Sequence, residues 1–136
     1  MRSAEQLAGR LRAAGGKLTP QRLFLFRALE GTTAHPTAED LHEQVRADLP
    51  MLSLATVYKT LSELVGLGEL RLVKSGDGRA HYDPNTEPHA HLVCRACGKL
   101  EDAPAGLVTV RVSPEMGDFL VTDRRVTLEG YCAACR

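Results

Sequence analysis

Apolar residues recur at three- and four-residue intervals through the first half of the chain and at alternate positions through the second. The change falls at PNTEP, residues 84–88, where two prolines flank polar residues as in a linker. Four helices are predicted before it. Ser3 opens the first, with Leu7 and Leu11 four apart and Gly15 and Gly16 at its end. Thr19 caps the second, Pro20 sits in its first turn, Leu25, Ala28 and Leu29 form its apolar stripe, and Gly31 stops it. In the third, Thr37 is the cap with Asp40 in the position of a capping box, Ala38, Leu41, Val45 and Leu49 face inward, and Pro50 closes the helix. Ser53 caps the fourth, whose inner side is Leu54, Val57, Leu61, Leu64 and Val65.

The outer side of that fourth helix carries Ala55, Thr56, Lys59 and Glu63, with Tyr58 at its flank. Short side chains let a backbone approach a major groove, and Thr, Lys and Tyr can reach bases or phosphates; a solvated surface face fits the same pattern. A strand over 69–74, a turn at Gly76 and Gly78 and a returning strand over 79–83 follow, with Lys74 and Arg79 near the turn for phosphates. Helices followed by a hairpin predict a winged helix over residues 1–83. Residues 89–136 read as a small α/β domain with strand segments HAHLVC, GKLED, LVTVRV, FLVT and RRVTLEGYC, so that the whole is α+β. Ser113, Pro114 and Gly117 interrupt any long helix there, and residues 107–112 are expected as an exposed strand whose edge suits a second subunit.

Charge first argues against nucleic acid, since 17 basic and 17 acidic residues give a net charge of zero over 136 residues. Distribution changes that: Arg2, Arg10, Arg12, Lys17, Arg22 and Arg27 stand against Glu5 alone in residues 1–27. A basic face is expected there. The absence of a signal-peptide pattern and of an apolar run long enough for a bilayer points to the cytoplasm and to no membrane partner.

Four cysteines form two CxxC pairs, Cys94 with Cys97 and Cys132 with Cys135. Each pair suits a turn that aims two sulfurs at one tetrahedral ion, so a structural Zn(Cys)4 site is predicted, tying the end of the chain to its middle. Disulfides are disfavoured in the cytosol; a redox CxxC or two unrelated thiol pairs are the remaining alternatives. Catalytic zinc keeps an open position, which four cysteines close, and neither a nucleophile nor a small-molecule substrate site is evident. In HAHLVC the side chains alternate, so His89 and His91 share one face and Cys94 takes the other. The histidines thus form half of a separate site, with His35, Asp83 and Asp102 as candidates to complete it. Three nitrogens and two oxygens favour Mn(II) or Fe(II). A loop role for His35 and cap roles for the aspartates are the competing readings.

Through LTPQR, HPTAEDL, LSLATVYKTLSEL, HAHLVCRACGK and the final CAAC, the chain resembles the ferric uptake regulator family of metal-responsive repressors over nearly its whole length. The resemblance implies a homodimer that binds double-stranded, AT-rich inverted repeats when a regulatory metal is loaded. It matches Cys94, Cys97, Cys132 and Cys135 to structural zinc ligands, and His35, Asp83, His89, His91 and Asp102 to the regulatory site of the peroxide-sensing branch. Tyr58 and Arg22 match base or backbone contacts, and Lys17 a lysine reaching the minor groove. Manganese-sensing members are close, and a manganese or iron uptake regulator without peroxide sensing is the alternative. Where many members build a third metal site, this chain has Ala90 and Arg124, so two sites per subunit are expected.

Overall fold

The computed structural model describes residues 2–30, 32, 35–113 and 116–136. Gly31 and Pro114, expected to stop a helix and to interrupt one, lie outside the described residues. The chain divides into two compact units, Met1–Lys74 with Gly78–Thr86, and Ser75–Asp77 with Glu87–Arg136.

The first unit holds α1 (Ala4–Ala13), α2 (Pro20–Leu29), α3 (Ala38–Val45) and α4 (Leu54–Gly66), then the antiparallel pair β1 (Arg71–Lys74) and β2 (Ala80–Asp83). This is the winged-helix order. Each helix begins where a hydroxyl satisfies an otherwise orphaned amide: Ser3, Thr19, Thr37 and Ser53 all accept from the backbone three residues on. Full capping boxes form at Ser3 with Gln6 and at Thr37 with Asp40. Leu7, Leu25, Phe26, Leu29, Leu41, Val45, Val57, Leu61 and Leu64 make one mainly aliphatic core, closed by Leu70 and Tyr82. The third helix stops at Val45, short of Leu49; Leu49 still packs on the core from the turn that follows, where its amide bonds to the Val45 carbonyl. Thr60, on the inner side of α4, is buried because its hydroxyl donates to the Thr56 carbonyl and needs no water.

The expected basic face is largely dismantled by ion pairs. Glu69, 8% exposed, accepts from Arg2 Nε at 2.9 Å and Arg10 Nε at 2.9 Å, fastening α1 to the turn after α4. Arg22 pairs with Glu63 at 2.8 Å, and Arg27 lies 3.9 Å from Glu5. Acids distant in sequence therefore offset the local excess.

In the second unit a three-stranded sheet is ordered β4 (Leu100–Asp102), β3 (Ala90–Cys94), β5 (Val126–Gly130), with β3 antiparallel to β4 and parallel to β5. Hairpin-tip residues Ser75–Asp77 cluster with this unit, and Gly76 packs closely there: a Cβ would lie 3.0 Å from the Cys94 carbonyl oxygen. The expected strands at 107–112 and 119–122 do not form. Alternation alone does not make a strand, and neither stretch joins a ladder in this chain. Leu107, Val110, Val112, Phe119, Leu120 and Val121 are left exposed in this chain. No helix among the described residues is long and apolar enough to cross a membrane.

The Thr37 backbone amide, bonded to the Asp40 carboxylate, holds that group below its ordinary value of 3.8. A folded-state value below the unfolded one means stabilisation present at neutral pH and lost as pH falls through the folded value. Asp40→Ala is therefore expected to cost about 0.5–1 kcal/mol at pH 7, at the low end because the group is exposed, and progressively less as pH falls through the lowered folded-state value. Urea unfolding of the two proteins from neutral into acid pH checks this.

Candidate metal centres and nucleic-acid face

The four sulfurs meet through two turns. Cys94 ends β3, the Gly98 amide bonds back to the Cys94 carbonyl, and Gly98 takes φ +77°, a conformation that glycine adopts freely. At the other turn the amides of Cys135 and Arg136 both donate to the Cys132 carbonyl, while the Arg95 amide donates to Gly130 and joins the two turns. All four Sγ atoms lie within 4.8 Å of one another. Cys97 and Cys132 sulfurs are 3.8 Å apart. That is far beyond the S–S bond of about 2.05 Å, and it matches the edge of about 3.8 Å that a tetrahedron with Zn–S bonds of about 2.3 Å requires.

Electrostatics agree with a dication. Backbone amides, Cys97 first and then Cys132, draw the Cys94 thiol down to about 6, and Cys132 N–H reaches its sulfur at 3.5 Å. The Cys135 thiol is pushed up to about 12 by hydrogen bonding with Cys132, Cys97 and Cys94. Four sulfurs this close can all be thiolates only around a cation. The donor set fits structural zinc, which leaves no open position for a substrate.

The histidines and aspartates are gathered separately in each unit. Within the first, His35 Nε2 lies 3.3 Å from Asp83 Oδ2, both side chains are nine-tenths buried, and Asp83 Oδ1 accepts from the Asn85 amide at 2.9 Å. Within the second, sheet register does the work: His91 stands directly opposite Asp102. Two residues earlier, on the same face, is His89, and the two rings are 4.4 Å apart. Asp102 Oδ1 is 3.1 Å from His89 Nε2 and 3.4 Å from His91 Nε2.

His89 is oriented through its other nitrogen. Nδ1 is 2.6 Å from the Glu87 carbonyl, which can only accept, so Nδ1 carries a proton. Nε2, 3.1 Å from Asp102 Oδ1, either donates a second proton to that carboxylate or, in the neutral ring, offers a lone pair to a cation. Two donors each about 2.1 Å from one ion at a right angle stand about 3.0 Å apart, close to the observed spacings.

On the proposed nucleic-acid side, the five predicted residues have different surroundings. Thr56 lies in the first turn of α4, its amide bonded to Ser53 Oγ; Tyr58 and Lys59 are exposed on the same helix. The Tyr58 hydroxyl donates to Glu39 Oε1 at 2.6 Å, a bond that raises the phenol above its ordinary 10.0 and lowers the carboxyl below 4.5. Lys17 is exposed between α1 and α2. Arg22 is not presented outward: it is 9% exposed, paired with Glu63, and donates to the Lys17 carbonyl at 3.0 Å. Its guanidinium thereby braces α2 against α4 and shapes the backbone at Lys17. Sequence reasoning missed Glu39 and Glu63 as partners, because they lie 19 and 41 positions from the residues they hold.

Cys97→Ser is expected to lose zinc and to strip amide-exchange protection from β3, β4 and β5 while α1–α4 keep theirs, since the metal set lies wholly in the second unit. Hydrogen exchange with a parallel zinc assay checks this; unchanged protection in the sheet contradicts it.

Comparison with known proteins points the same way. The ferric uptake regulator family profile matches residues 13–113. The peroxide-responsive repressor PerR of Staphylococcus aureus strain USA300 is 34% identical over 134 residues, covering 97% of this chain and 90% of that protein. Among solved structures, PerR from Streptococcus pyogenes, described for peroxide sensing and gene regulation, is 27% identical with a TM-score of 0.58 and covers 100% of this chain and 95% of its own. Fur of Helicobacter pylori, at 19% identity, shares the fold with a TM-score of 0.74 over 96% of this chain and 89% of its own. Closed cysteine site, winged helix and family match agree, and the chain belongs to the ferric uptake regulator family of metal-responsive transcriptional regulators.

Proposed function

We propose that the chain is a cytoplasmic, homodimeric repressor of metal-homeostasis or peroxide-stress genes, which closes on an AT-rich inverted repeat of double-stranded DNA when Mn(II) or Fe(II) occupies its His/Asp residues. His35 and Asp83 would hold the ion from one side of the 84–88 hinge, and His89, His91 and Asp102 from the other. The observation that carries this is the pre-assembly of two half-sets of nitrogen and oxygen donors, one in each unit, separate from the closed sulfur set. Zinc fixes the fold of the second unit; the second ion biases the arrangement of the two.

An ion that selects the closed arrangement shifts its population by its differential affinity, and moving from mostly open to mostly closed takes about 5 kcal/mol. In a dimer this would bring two recognition helices to successive major grooves, about 34 Å apart. Thr56, Tyr58 and Lys59 are the groove-facing residues of α4, with Lys17 as the minor-groove candidate. Arg22 enters by holding α2, α4 and the Lys17 backbone. Support for a dimer comes from the second unit's exposed Leu107, Phe119, Leu120, Leu128 and Tyr131.

Likeness to two proteins named PerR supports a peroxide response. Bound Fe(II) would supply the one-electron chemistry that splits the O–O bond of peroxide; one oxygen would replace a ring C–H hydrogen of His35 or His91, the other would leave as water, and that donor would be lost. A manganese or iron uptake regulator without that step is the second reading, favoured by the same mixed donor set.

Fluorescence anisotropy with AT-rich inverted-repeat DNA, titrated with Mn(II), Fe(II) and Zn(II), tests the switch. The parent protein should gain roughly 10- to 100-fold in affinity on loading, His89→Ala should not, and bound complexes should weaken steeply with salt. Metal-independent binding in both proteins contradicts the proposal. In the Fe(II) arm, oxygen added to a histidine peptide after peroxide selects the peroxide-stress reading, and its absence selects the uptake reading.

A further inference from the structure

We propose that His81 is a positioning residue for the His35–Asp83 half of the metal centre, acting on the His35 main chain rather than on the ion. The inference rests on the reading that this half binds metal. His35 and Pro36 precede α3 without regular structure, and Pro36 has no amide to donate, so this segment needs outside partners to be fixed. Two backbone partners among the described residues come from β2. The His81 imidazole reaches the His35 carbonyl through Nδ1 at 2.6 Å, and the Tyr82 amide donates to the Pro36 carbonyl at 2.9 Å. A carbonyl only accepts, so His81 Nδ1 carries the proton in this bond.

Alternation on the strand gives the bond its significance. His81 and Asp83 are two apart on β2 and share a face, while Tyr82 points into the core. One strand therefore carries a carboxylate and, beside it, the group that grips the backbone of the histidine facing that carboxylate. Beyond Pro36 the chain is held again by the Thr37–Asp40 capping box. Between these anchors the His35 ring has little choice of place, and its Nε2 sits 3.3 Å from Asp83 Oδ2. Metal sites depend on such outer partners because an ion binds well only where donors are already placed. Releasing the carbonyl would let His35 move without removing any ligand.

A merely structural role and a positioning role separate by substitution. Asn places an amide nitrogen where His has Nδ1, whereas Gln places it one bond farther out. Mn(II) affinity is read from the free-ion electron paramagnetic resonance signal for the parent, His81→Asn, His81→Gln and Asp83→Asn, with zinc content and thermal midpoint measured on each. Expected is a roughly 10- to 100-fold weaker Mn(II) affinity for His81→Gln, near-parental affinity for His81→Asn, and unchanged zinc content and midpoint in both. The inference is overturned if His81→Gln binds Mn(II) as the parent does, if His81→Asn loses as much as His81→Gln, or if the loss comes with an equal loss of thermal stability. Asp83→Asn distinguishes the two levels: unaltered affinity there removes the metal reading itself, whereas weakened affinity beside a parental His81→Gln removes only the positioning role.

Discussion

One short strand has to serve two kinds of metal chemistry, and its side-chain alternation is the constraint on which the second unit depends. Along Ala90–Cys94, His91 faces Asp102 across the ladder while Cys94 turns to the other side, into the sulfur cluster. A slip of one residue would exchange the faces and destroy both sets. The turn Cys94–Cys97 at the end of the strand and the parallel pairing to Val126–Gly130 along its whole length resist that slip, and the sulfur set ties them together. The thiolates thus contribute to the histidine set without touching it, by fixing register. Soft and mixed donor sets can stand a few residues apart because the pleat, not distance along the chain, decides which of them meet.

In the winged-helix unit the governing theme is internal use of charge. Three of the six basic residues in 1–27 are committed to Glu69 or Glu63 in half-buried pairs, which fix helix packing more than they attract phosphate. Under the proposed function, the residues left for DNA form a compact group on and near α4 rather than a broad basic face. For a regulator that has to release DNA, a modest electrostatic term is useful, since sequence-independent attraction does not distinguish operator from other DNA. Tyr58 illustrates the same restraint: its hydroxyl proton is already given to Glu39, leaving the phenol oxygen as an acceptor.

Helix positions were legible in the sequence because capping and periodicity are local: Ser3, Thr19, Thr37 and Ser53 open the four helices where their hydroxyls imply. The separation of His89 and His91 from Cys94 was legible for a similar reason, needing only a period of two. Ion-pair and hydrogen-bond partners far along the chain were not. Nothing near Arg2 or Arg10 announces Glu69, so the basic face was overread, and Arg22 looked available although Glu63 claims it. Residues 107–112 alternate as a strand does, yet a strand also requires a ladder partner, which no local pattern reports. His81 shares a face with Asp83 by simple alternation, but its bond to the His35 carbonyl spans 46 residues.

The central claim is that a single ion is shared by donors from both units. Equilibrium titration of the zinc-containing protein with Mn(II), counting high-affinity ions per chain, tests it most directly when repeated on His35→Ala and His89→Ala. The account predicts one such ion in the parent and its loss from either variant, each change acting from a different unit. Retention of that ion at parental affinity in either variant would contradict it.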